Sequence, residues 1–347
     1  MRTTVPRAGS AATDSELARS VLPGLARLYH GVHMHLPALS LALVVVTASA
    51  AHASAQRAPR ETRLIFDWPG GAEAEVVATR SLENRLRGST LRGEARFALT
   101  TSRTGGATAV TARDLRIASI REQLDLDAAN VAMVAMMALP SMTLTRTGSL
   151  DELTDADSAQ HQIAAALERA VPASVRSGAA WAAVAPMWST TPAIERSATG
   201  TLEMLLTSLT SRSLVAGRAV EATGASSRIM SGLVVRQRGT LQLNRALPCF
   251  EGDASDGCVE IAMRAVPEDP APLARMAEAA GLAGLQITTE ARIVTEPRTL
   301  LPHRCEVRTR RLYSITVDGS PHEVEEIENR TWAFAWRRET IRAPARR

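Results

Sequence analysis

The chain contains no lysine; all 40 of its basic residues are arginine. Aromatic residues make up 3% of the 347 positions, and there are three cysteines. Beyond one N-terminal segment, no apolar run reaches the roughly 18 residues of a membrane-crossing helix. Each shortage excludes something. Gly88 to Gly93, GSTLRG, has glycines at the Walker A distance, but without a lysine or a preceding apolar strand it is no phosphate cradle. Beyond residue 55 the histidines are His161, His303 and His322, too scattered for HExxH. No CxxC and no GxSxG nucleophile elbow occurs. No catalytic residue, cofactor or metal is therefore expected. With so few aromatics, the core must come from Ala, Val, Leu, Ile and Met, and a 45% hydrophobic composition can supply it. Arginine without lysine, in an alanine-rich chain, points to a high-GC bacterial genome.

What is present begins with charge. The pI is near 9.5, yet 40 arginines against 36 acids leave a net charge of only +4. The two signs are interspersed, with no basic face carrying aromatic stacking groups, so nucleic-acid binding is not expected. Only the end, with Arg337, Arg338, Arg342, Arg346 and Arg347, is a basic cluster; residues 338–347 read as a disordered, solvated tail.

Residues 36–55, LPALSLALVVVTASAAHASA, have an apolar centre and end in two overlapping A-x-A patterns. Residues 34–55 read as a secretory signal peptide with cleavage near Ala55, before Gln56. Residues 1–33 form a long lead of mixed charge, unlike a signal's basic start. Translation from Met34 would make that lead a start-site artefact. No cysteine follows the apolar segment as a lipoprotein would require. The expected mature chain, 56–347, is periplasmic or secreted.

An exported chain meets an oxidising compartment, where disulfides persist. Cys249 and Cys258 flank the polar loop FEGDASDG between two strand patterns, so a disulfide closing a hairpin neck is expected. A zinc site drawing on Cys249, Cys258, His303 and Cys305 is the alternative. Its spacing is unusual, since C-x₈-C is not a common ligand pattern. Cys305 then reads as a buried spare thiol.

The rest of the chain predicts an α+β fold: curved antiparallel sheets, meandering and half-barrel-like, packed with a helical middle segment. Strands are expected over 62–117, where Leu64, Phe66 and Trp68 share one face and the turns PGG and TGG force antiparallel pairing. A helical region follows over 120–214. It comprises the Ala/Met-rich run 126–139, a short hairpin over 141–150, and helices over 155–171, 174–185 and 202–214. Met137, Met142, Met187 and Met204 read as core filling. Strands plus one helix, 270–281, are expected over 215–337. In the last strand Trp332, Phe334 and Trp336 occupy one face, either a core or the wall of a ligand cavity. Arg310 and Arg311 fall roughly opposite Glu326 to Glu328, which reads as register control on a solvated face.

The ending carries a strand, EPRTLLPHRCEVRTR, a further strand and a DG turn. It resembles the lipoprotein-carrier type of open β-barrel envelope protein over residues 285–337. Most of the mature chain is also similar to uncharacterised secreted proteins of high-GC bacteria with a paired-cysteine hairpin followed by a helix. The first resemblance implies a curved sheet wrapped around a helix and an apolar ligand; no functional residue carries over from either. The functional expectation is a non-enzymatic envelope protein that binds an apolar small molecule or a partner protein on its curved sheet. The alternative is a structural or assembly component without a small ligand; an enzyme of unmarked type is the minor one.

Overall fold

A computed structural model describes residues 61–86, 88–119, 128–229, 233–252, 257–279, 281–317 and 319–338. The expected lead, signal peptide and cleavage point, and the tail beyond 338, lie outside the described residues. The fold is α+β and mostly antiparallel sheet, with one large curved sheet that does not close.

The N-terminal strands are β1 (Glu61–Arg63), β2 (Ala72–Asn84), β3 (Ser89–Thr104) and β4 (Ala107–Ser119). A helical middle holds α1 (Ala128–Ala135), the short strands β5 (Met142–Leu144) and β6 (Leu150–Leu153), α2 (Ala156–Ala170), α3 (Ala173–Arg176), α4 (Ala179–Val184) and α5 (Thr191–Leu202). The C-terminal part comprises β7 (Ser213–Val215), β8 (Ala219–Ile229), β9 (Leu233–Leu247), β10 (Cys258–Pro267), α6 (Ala271–Ala279), β11 (Ala283–Thr295), β12 (Pro302–Val317) and β13 (Ser320–Arg338).

β1 and β7 pair with each other in a small two-stranded sheet; the remaining strands of both blocks belong to one eleven-stranded sheet, ordered β6-β5-β4-β3-β2-β13-β12-β11-β10-β9-β8. The last strand pairs with β2 along its length, from Glu326 opposite Asn84 to Arg338 opposite Ala72. Bulges interrupt the β3–β4, β9–β10, β11–β12 and β8–β9 ladders. Each bulge raises the local twist and bends its strand, which gives a wide sheet its curvature. In β4 two residues, Asp114 and Leu115, stand opposite one on β3, and Asp114 takes φ 60°. Gly239 serves close approach instead: a Cβ there would lie 2.2 Å from the Arg264 carbonyl oxygen of the neighbouring strand.

Side chains alternate faces along each strand, so one row of the covered face can be read across seven strands. Ala95, Ala78, Trp332, Cys305, Ile293, Ile261 and Leu243 are successive partners, and all are buried. The middle segment packs over this face. α1 sits directly on β3, where a Cβ on Gly93 would meet Val134 at 2.4 Å. α5 reaches both edge strands, β6 and β8, so helices span the opening of the half-barrel. A smaller second core forms where Leu273 and Ala277 of α6 pack on Leu285, Ile287, Tyr313 and Val324.

Several boundaries differ from expectation. The alternation of Leu64, Phe66 and Trp68 holds, since all three are buried beside exposed Ile65, but the regular strand stops at Arg63. The segment beyond it bonds to loops: Leu64 N–H donates to Arg212, Ile65 to Pro297 and Asp67 to Thr299. The helix expected over 126–139 covers only Ala128–Ala135, and its start at 126–127 lies outside the described residues. The one expected over 174–185 is broken into α3 and α4 at Gly178, which has extended φ and ψ. The helix expected over 202–214 lies one element earlier, as α5; Pro192 in its first turn fits a helix start. A π-helical turn, Glu203–Thr207, follows, and Ser213–Val215 is strand. Strand β9 runs unbroken through Gly239. Arg338, expected as the first residue of a solvated tail, belongs to β13. Helix α2 begins as expected, with the Asp155 carboxylate accepting from Ser158 N–H at 2.8 Å.

Candidate functional site

Two groups of side chains merit a functional reading, and both lie on the covered face. The first sits where the β9–β10 hairpin, the β11–β12 connection and residues 64–69 meet. Phe66 and Trp68 reach Trp336 and Phe334 through ring contacts of 5.8 Å (Phe66–Trp68), 5.8 Å (Trp68–Trp336) and 6.1 Å (Phe334–Trp336). The first two are tilted or edge-on and the last is stacked, all within the range that favours aromatic pairs. The three indole N–H groups are all used: Trp68 donates to Leu300 O at 3.0 Å, Trp332 to Met137 O at 3.0 Å and Trp336 to Pro302 O at 2.6 Å. Trp332 and Phe334 are buried and Trp336 is half-buried. Of the two readings of this face, core or cavity wall, the packing matches the core.

The expected disulfide is formed. Cys249 and Cys258 are bonded at 2.08 Å and close the neck of the β9–β10 hairpin. Next to it, His303 Nε2 lies 3.1 Å from a Glu296 carboxylate oxygen, and the ring is buried. Glu296 is fixed in turn, accepting from the Thr299 hydroxyl at 2.9 Å. The two sulfurs and a His303 ring nitrogen all lie within 4.8 Å of one another. The four-ligand zinc set does not assemble: Cys305 is not in this group. It lies in the seven-residue buried row between Ile293 and Trp332. Burial pushes the Cys305 thiol up to about 12, with the Arg330 charge opposing. The thiolate is the species that attacks disulfides, so Cys305 is chemically quiet beside the bonded pair.

The second group is a charged cluster between the two cores. Glu328 is buried and its oxygens are divided between two arginines. Arg80 Nε donates to one at 2.7 Å and Arg311 Nη2 to the other at 2.6 Å. Arg80 also donates to the Asn130 side chain on α1, which ties helix to sheet. Burial pushes the Glu328 carboxyl upward, but the charges of Arg330, Arg80 and Arg311 and the Arg311 hydrogen bond outweigh it and hold the group far below the usual carboxylate range. This corrects the expectation of a solvated, register-setting face for Arg310, Arg311 and Glu326 to Glu328. Only part of it faces water, where exposed Arg310 and Arg85 both bond Glu325. The missed signal was in the alternation: Glu328 shares its face with Trp332 and Phe334, and Arg80 with Val76 and Ala78. A carboxylate clamped between guanidinium groups holds charge and geometry, but it is a poor proton donor or acceptor near neutral pH.

The opposite face of the sheet is a solvated mosaic of opposite charges, with Arg96–Glu94 at 2.6 Å, Arg337–Glu75 at 2.8 Å and Arg245–Glu260 at 3.8 Å. Exposed pairs of this kind contribute little to stability. At the hairpin tip Phe250, next to the disulfide, is the most exposed large apolar side chain among the described residues, at 64%.

No family model matches the chain, and no curated protein matches it.

Proposed function

We propose that this chain is an exported, non-enzymatic component of the bacterial envelope that holds a partner protein rather than a small apolar ligand. The observation that carries this reading is the use of the aromatic face. Trp336 packs on Trp68 and Phe334, Trp332 is buried in the same core, and the indole N–H groups of Trp68, Trp332 and Trp336 are each bonded to a backbone carbonyl of the protein. The feature that most favoured an apolar ligand is thus spent on the core. The disulfide supports export, because such bonds persist in oxidising compartments. Phe250 supports a partner: an aromatic held out at 64% exposure on a clamped hairpin has the form of an interface anchor.

The test is native mass spectrometry of the protein extracted gently from its host's envelope, for the wild type and Phe250→Asp. The expected result is a protein adduct on the wild type that the substitution weakens at least tenfold, with circular dichroism unchanged. A small apolar molecule released on denaturation, present equally in both, would replace this reading with a carrier.

A further inference from the structure

We propose that the Cys249–Cys258 disulfide masks a metal site: reduction uncovers a thiolate and imidazole cluster selective for zinc-class divalent ions. Three observations carry it. The donor atoms of Cys249, Cys258 and His303 already lie within 4.8 Å of one another. With Zn–S near 2.3 Å and Zn–N near 2.0 Å, a tetrahedral site needs its donors about 3.3–3.8 Å apart. The two sulfurs are free to take up that spacing once the bond between them is broken. Second, His303 is held by a carboxylate, with Glu296 Oε1 at 3.1 Å from Nε2. A carboxylate on the far ring nitrogen orients metal-binding imidazoles and raises their basicity, so Glu296 on Nε2 would serve a metal bound at Nδ1. Third, the frame is stiff: β9, β10 and β12, which carry or flank the donors, are bound into one sheet. Two thiolates and one imidazole leave a fourth position for water or a carboxylate.

The chemistry balances as two steps. A dithiol reductant gives two electrons and two protons to the disulfide, leaving two cysteine thiols and an oxidised dithiol. The ion then binds both sulfurs as thiolates and releases two protons. Disulfide and metal site are mutually exclusive states of the same atoms. Cys305 takes no part, because it lies outside the donor group.

The experiment titrates Co²⁺, then Zn²⁺, into the purified chain, once oxidised and once reduced with a dithiol that is then removed without air. The reduced chain should bind one equivalent of Co²⁺ with a thiolate charge-transfer band, and Zn²⁺ should displace it. About two protons should be released per ion, and the oxidised chain should show none of this. Glu296→Gln should weaken binding about 10–100-fold. His303→Ala should weaken it further, and Cys305→Ala should leave it unchanged. Far-UV circular dichroism follows the fold throughout. No charge-transfer band in the reduced chain, or a band unaffected by His303→Ala, overturns the proposal. So does loss of the band in Cys305→Ala, or a reduced chain that unfolds and is not refolded by the ion.

Discussion

The covered face holds two buried groups that solve opposite problems. At one end, aromatic rings, a disulfide and satisfied indoles make a largely apolar core, with the His303–Glu296 pair at its side. Toward the other, Arg80, Glu328 and Arg311 place full charges under α1, between the large core and the small one. The aromatic end gains from burying apolar area. The charged cluster gains little net energy from burial, because desolvating ions offsets their attraction. What it provides is discrimination: Glu328 has two guanidinium partners, and a shift of strand or helix would leave charges buried and unpaired. The comparison teaches that in an aromatic-poor chain, register is set by a charge lock and volume by a handful of rings.

The comparison can be broken first at the lock. Glu328→Ala leaves Arg80 buried without its carboxylate and should cost about 3–5 kcal/mol, read from urea unfolding midpoints. The same residue has a pH signature. Its carboxyl is depressed in the folded state. Its contribution is therefore present above the unfolded value, about 4.5, and is lost as pH falls below it. Stability measured from pH 7 down to pH 3 should fall more steeply for the wild type than for Glu328→Gln; parallel curves would mean that the lock is not ionised.

The next effect is at the other end. Reducing the disulfide, or Cys249→Ser with Cys258→Ser, reopens a loop closed over a separation of 9 residues. It should cost about 2–3 kcal/mol on the chain-entropy account, visible as a lower thermal midpoint. Trp68→Phe keeps a ring but strands the Leu300 carbonyl that the indole bonds, at about 1–3 kcal/mol by the same unfolding assay. The smallest change sharpens the contrast with the exposed face. Arg96→Ala removes a 2.6 Å ion pair in water and should move stability by less than about 1 kcal/mol. A larger loss there would mean that the outer mosaic contributes more than its exposure implies.

Much of this architecture was legible in the sequence, for reasons that can be named. Period-2 alternation placed Leu64, Phe66, Trp68, Trp332 and Phe334 on buried faces, because strand geometry leaves no other choice. The short TGG turn fixed β3 and β4 as antiparallel neighbours, but PGG did not do so for the segment before β2, which bonds to Arg212, Pro297 and Thr299 while β1 pairs with β7. The helix expected over 155–171 begins where the Asp155 carboxylate caps α2. The pairing of the first long strand with the last was not legible, since nothing local to β2 names a partner some 250 positions away. Nor was the break at Gly178 or the placement of α5, where tertiary contacts overrode weak helical patterns. The charge lock was half-visible: Glu328 lies on the Trp332 face, but its opposite-charge neighbours suggested a surface ladder. Its partner Arg80 comes from β2, which sequence order hid. The gathering of His303 with the bonded cysteines depended on the same long-range sheet order.

On this reading the chain is exported, and its covered face is closed by its own disulfide and core. Intact mass spectrometry of the protein from its native host, denatured without reductant, tests it most directly. The expected mass is that of a chain running from Gln56 to Arg347, two hydrogens lighter than its fully reduced formula. A chain retaining residues 34–55, or one with three free thiols, would contradict it.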